Sequence, residues 1–190
     1  MVRSRCKREV GNTELRSCGI PQDKSMHGVC RECNNILLRD GAAAMKAVRE
    51  HQLCEEVENV IEANVLLSGL GFINGGLAAA HGLHSGFSEI KESEKYLHGE
   101  KVAFALLCQM VLENAPEEEQ KRITGFMNEV GLPVTLAQIG SDPTDDNMEI
   151  ILNHTLDKNV LVQHEPFPVS KESLRNAILQ ADARGREYIS

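Results

Sequence analysis

Three histidines stand out in this 190-residue sequence for the company they keep. His81 and His84 lie three residues apart, and so on one face of a helix. His98 comes just before GEKVAFALL, which reads as the start of another helix. Two helices joined by a loop bring His81 and His98 together. Neutral imidazole ligates zinc or ferrous iron without burying a charge, so histidines in an uncharged surround suit a divalent metal. The competing reading makes each of them a hydrogen-bonded core residue, and their spacing meets no rule for structural zinc.

A catalytic zinc wants three protein ligands and an open position. The uncharged stretch around the histidines holds no carboxylate, and Glu89, Glu92, Glu94 and Glu100 read as loop or exposed positions. Glu100 suits a helix start, where the dipole favours an acid. His27, His51, His154 and His164 have no comparable setting and default to surface or loop. Of six cysteines, at 6, 18, 30, 33, 54 and 108, only Cys30 and Cys33 form a C-x-x-C pair. With no second pair at zinc-ribbon distance, reduced thiols in the cytosol are expected, with Cys54 and Cys108 as small core residues. No G-x-S-x-G, Walker loop or H-E-x-x-H is present, and GLGFING (69–75) lies in a helical pattern that fails the strand-turn-helix test for a dinucleotide loop.

The elements that must position these side chains are helical. Apolar residues recur at helical spacing from Leu53 through Val57, Val60, Ile61 and Leu67. Pro116, the acids Glu117, Glu118 and Glu119, then Gly131 and Pro133 bracket a second helix. A third runs from about Asp145 through Met148, Ile151, Leu152 and Leu156. A last one starts at Ser170, packs Leu174, Ala177, Ile178 and Ala181, and stops at Gly185. Only Val160–Val162 looks strand-like. The reading is an all-α helical bundle of about seven helices, with loops at 87–97, 139–144 and 163–169. From Ala63 to Ser88 the chain is uncharged, long enough to span a bilayer; its Asn, His, Ser and Gly content predicts instead a soluble protein's helix buried on all sides.

Composition supports this. Aromatic residues make up 4% with no Trp, against 42% apolar residues, which disfavours a sandwich or barrel. A net charge of −8 argues against a nucleic-acid or anionic-membrane surface. The first forty residues nevertheless carry eight Lys/Arg against five Asp/Glu. Residues 1–27, broken by Gly11, Gly19 and Pro21, read as a disordered basic arm without the apolar run of a secretory signal.

The segments IEANVLLSGLGF (61–72), GGLAAAHGLHSGF (75–87), YLHGEKVAF (96–104), QMVLENAPEEE (109–119), VGLPVTLAQIG (130–140) and HEPFPVS (164–170) carry a resemblance. Residues 28–190 resemble the C-terminal, metal- and substrate-binding helical domain of glycerol dehydrogenases, of the iron-containing alcohol dehydrogenase superfamily and dehydroquinate synthase-like in fold. The resemblance implies a cytoplasmic, NAD-dependent oxidation of glycerol, or a related small polyol, to dihydroxyacetone at a divalent metal, usually zinc. It maps two metal ligands onto His81 and His98, with His84 and Phe72 near substrate and nicotinamide. It also implies a third, aspartate ligand and an N-terminal NAD-binding domain, neither of which has a counterpart in this sequence. The expectation is therefore a catalytically incomplete half, binding NAD only if a partner supplies the dinucleotide domain, and assembling as a homo-oligomer or with intact homologous subunits. The alternative is a residual helical interaction module from a truncated gene, without activity. Ile73 and Asn74 stand where the family more often has Glu and Ser, and Ser85 where it usually has Asn.

Overall fold

The computed structural model describes residues 16–17, 20–21, 24–157 and 160–189. Most of the expected basic arm lies outside them. At its end, Arg16–Ser17 (β1) pairs antiparallel with Ile20–Pro21 (β2). The chain divides into two compact units, with the boundary between Leu77 and Ala78.

In the first unit the long helix α1 (Lys24–Arg49) packs against α2 (Glu55–Glu62), a π-helical stretch (Ala63–Leu67) and α3 (Ser68–Gly75). Ala44, Ala47 and Val57 form a small core, flanked by Cys54 and Val60. Asp40, buried, accepts hydrogen bonds from Arg39 and from Asn59 Nδ2 (2.9 Å), tying α1 to α2. Cys33 is buried with its Sγ 3.4 Å from the Ala63 carbonyl, and Cys30, Cys33, Cys54 and Cys108 are free thiols. Burial raises the pKa values of Cys30, Cys33 and Cys108, keeping these thiols protonated and unreactive.

The second unit contains α4 (Ala79–Phe87), α5 (His98–Leu112), α6 (Glu117–Val130), α7 (Asp145–Asp157) and α8 (Lys171–Ile189). Counting α2, the π stretch and α3 as one continuous helix, the described residues hold the expected seven. The centre is α5, whose residues from Ala103 to Met110 are all buried; a helix apolar on all sides is stable only when covered on all sides. It packs on α4, α6 and α8. Phe104 meets Phe87 of α4 with ring centroids 5.7 Å apart. Leu83, Met148, Ile151, Leu152, Leu174 and Ile178 complete a core with no exposed surface. At the end of α6, Gly131 takes the left-handed conformation (φ 82°) expected of a helix stop.

Three expectations are corrected. The uncharged stretch 63–88 is not one helix buried on all sides: α3 ends before Gly76, whose φ of 67° with ψ of −162° only glycine adopts readily. Val65, Phe72 and Ile73 are 75%, 51% and 60% exposed. Only α4 behaves as expected. Val160–His164 is a 3-10 helix, not a strand; three apolar residues with no strand beside them among the described residues have no ladder to join. Finally, α8 does not stop at Gly185. That glycine lies on the buried face with Ala181 and Asp182, and a Cβ there would run into the Val134 carbonyl. It is required for close packing, not for a turn.

Candidate functional site

The placement of α4 begins with what it lacks. Gly82 and Gly86, one turn apart, face Val162 and α7: a Cβ on Gly82 would come within 2.5 Å of Val162 Cγ2, and one on Gly86 within 2.6 Å of the Ile151 carbonyl oxygen. Bare backbone on that face lets α7 approach closely, fixing the rotation of α4. Its first amides are held by side chains distant in sequence. The Ala79 N–H donates to Glu165 Oε1 (3.1 Å) and the Ala80 N–H to Gln109 Oε1 (2.8 Å), while Gln109 Nε2 donates to Glu113 Oε1 (2.7 Å). These acceptors satisfy amides that a helix start leaves open.

So oriented, α4 presents His81 and His84 toward the start of α5, where His98 is the first residue. The Leu97 N–H donates to Glu100 Oε2 at 2.6 Å, so Glu100 is the helix-start residue its position suggested. The three imidazoles converge. His81 and His98 have ring centroids 5.6 Å apart, and His84 and His98 4.2 Å apart in an edge-on arrangement. The hydrogen-bonded pair is His84 Nε2 with His98 Nδ1, at 3.0 Å.

Burial above all, with a smaller contribution from the neighbouring His98, pushes the His81 pKa down to about 4; burial, His98, Lys101 and His81 do the same for His84. Both are therefore neutral near pH 7, with lone pairs available. The donor type suits a divalent metal, but the donor set is not complete. His84 and His98 spend one donor and one lone pair on each other, and no group of three or more His, Cys, Asp or Glu side chains among the described residues is arranged to hold a metal ion. These residues alone do not fit the metal that the resemblance implies.

Phe72, expected beside the substrate, lies on α3 of the first unit and is half exposed. His154 corrects the expectation of surface or loop. It is a residue of α7 in hydrogen-bond contact with Ser85, with its Nδ1 3.4 Å from Glu89 Oε1. Its signal was available, since it lies three residues after the fully buried Ile151, at the margin of the inner face. Gln109 was legible as the one polar residue in LLCQMVL (106–112). Glu165, buried and with its pKa raised to about 7 by burial, carried no periodic signal, because its partner Ala79 is 86 residues away.

This all-α bundle has counterparts among solved dehydrogenases. No family model matches the chain. It is 40% identical over 161 residues to a glycerol dehydrogenase of Thermotoga maritima, covering 84% of this chain and 44% of that protein. It is 39% identical to one of Citrobacter freundii, covering 93% and 51%, and 40% identical to a glycolaldehyde reductase of Halobacterium salinarum, covering 84% and 44%. The crystal structure of a probable glycerol dehydrogenase from Sinorhizobium meliloti superposes with a TM-score of 0.82 at 38% identity, covering 88% of this chain and 47% of that one. Glycerol dehydrogenase from Schizosaccharomyces pombe superposes with a TM-score of 0.84 at 32% identity, covering 90% and 44%. In sequence and fold the chain is a relative of the glycerol dehydrogenases, and it spans about half the length of the relatives it matches. No single helix among the described residues is long and apolar enough to cross a membrane.

Proposed function

We propose that this chain is the metal- and substrate-binding half of an NAD-dependent polyol dehydrogenase, acting on glycerol or a related small polyol. The observation that carries the reading is the convergence of three imidazoles, two of them neutral near pH 7, at the junction of α4 and α5. His81 and His98 would contribute to a zinc or other divalent-metal site whose carboxylate comes from elsewhere, and His84 would hold His98 in orientation. Hydride transfer requires donor carbon and nicotinamide in van der Waals contact, so in this reading the bundle works against a dinucleotide-binding domain. The test combines the purified chain with the N-terminal half of a homologous glycerol dehydrogenase and follows NADH formation from glycerol. Turnover is expected from the mixture and not from either half. Its loss in His98→Ala supports the assignment, whereas turnover by this chain alone sinks it.

A second reading is favoured by the exposed apolar side chains of the first unit, Val65, Leu66, Phe72 and Ile73. Such residues in proximity promote association, as expected of an inactive helical module that docks on its own copies or on intact homologous subunits. Size-exclusion chromatography with light scattering separates the readings: concentration-dependent association without complemented turnover supports the module, and a clean monomer counts against it.

A further inference from the structure

We propose that Ser85, His154 and Glu89 form a nucleophilic serine site, distinct from the histidine cluster and able to accept an acyl group from an activated ester. Ser85 Oγ lies 2.9 Å from His154 Nε2, and His154 Nδ1 lies 3.4 Å from Glu89 Oε1. Ser85 and Glu89 are four residues apart, on the last turn of α4 and just beyond it. His154 reaches them from α7, which the bare backbone of Gly82 and Gly86 allows to come close.

In the tautomer with its hydrogen on Nδ1, which a carboxylate acceptor beside that nitrogen favours, the ring offers its Nε2 lone pair to the Ser85 hydroxyl, the arrangement of nucleophile, base and orienting group used to activate serine. A serine on a helix ordinarily satisfies itself by donating to the carbonyl one turn back. Ser88 does this, bonding the His84 carbonyl at 2.9 Å, whereas Ser85 turns its hydroxyl to an imidazole. Both Ser85 and His154 are half-buried and Glu89 is exposed, so a small ester has access. Asparagine, usual here in the resembling family, would provide no nucleophile.

In the reaction, Ser85 Oγ bonds to the ester carbonyl carbon while its proton passes to His154 Nε2. The bond to the leaving oxygen then breaks, that oxygen departs with the electron pair, and His154 releases its proton to it or to water. The product is acyl-Ser85 with a neutral imidazole restored. The amides around Ser85 are committed to the helix, so no prepared oxyanion donors assist. Activated esters are therefore the substrate class, and amides are not.

The full-length chain is incubated with 4-nitrophenyl acetate, with nitrophenolate release, intact mass and peptide mapping as readouts. One acetyl group on Ser85 is expected. Ser85→Ala and Ser85→Asn should lose it. His154→Gln should slow acylation by about 100-fold, within the range for general-base catalysis, and Glu89→Gln should slow it less, with circular dichroism confirming that each variant is folded. Acetylation confined to lysines, cysteines or the N-terminus overturns the proposal, as does labelling of Ser85 at an unchanged rate in folded His154→Gln.

Discussion

His98 Nδ1 lies 3.0 Å from His84 Nε2, a hydrogen bond between imidazoles on two different helices. The resemblance pairs His98 with His81, but in this structure the direct partner is His84, with the His81 ring to one side at 5.6 Å. Such a bond needs a lone pair on one ring and a proton on the other. Any ion taking His98 Nδ1 as ligand must displace it.

For that reason the isolated chain is expected to hold zinc poorly. After loading and dialysis against zinc-free buffer, elemental analysis should find well below one zinc per chain, because loss of a ligand lowers affinity steeply. Stoichiometric retention would reveal a donor set that the described residues lack.

Glu165 makes stability depend on pH in a definite direction. Its pKa rises from 4.5 to about 7 in the fold, so the folded state holds this proton more tightly than the unfolded one. The stabilisation is complete below pH 4.5, falls as pH climbs to 7, and then levels off. The half-buried imidazoles of His81 and His84 act oppositely, destabilising the fold as pH drops from 6.5 toward 4. The difference between Glu165→Gln and the parent isolates the carboxyl. Its amide oxygen can still accept the Ala79 N–H, and at pH 8 the variant should be more stable by up to about 3 kcal/mol in urea unfolding. A difference that does not vary with pH would rule this out.

Two glycine substitutions should move stability in opposite directions. A Cβ on Gly185 meets the Val134 backbone, so Gly185→Ala should cost about 3 kcal/mol or more. Gly69 has open space at its Cβ position, and Gly69→Ala should gain about 0.5–1 kcal/mol from helix propensity alone. Thermal melts of both variants check the contrast.

Asp182, buried on α8, accepts the Leu136 N–H (2.8 Å) with one oxygen and Arg186 Nε (2.8 Å) with the other. Asp182→Ala strands a buried amide and should cost about 2–3 kcal/mol. Removing the more exposed partner in Arg186→Ala should cost under about 1 kcal/mol. Equal losses by chemical denaturation would refute this division of labour.

The helical class, most helix positions and the convergence of His81 with His98 were legible in the sequence. They rest on local signals: 3.6-residue periodicity, acids and prolines at helix starts, and two histidines placed either side of one loop. The interruption at Gly76 and the continuation of α8 through Gly185 were not legible, because a glycine reads alike whether it ends a helix or admits a neighbour's backbone. Nor were the bonds of Glu165 to α4, of His154 to Ser85, and of His98 to His84 in preference to His81. Each depends on the rotation of α4, which is set by the close approach of α7 to Gly82 and Gly86. Periodicity along a chain shows which face of a helix is buried. Only the packed neighbour, arriving from some seventy to ninety residues away, decides what each side chain on its margins will touch.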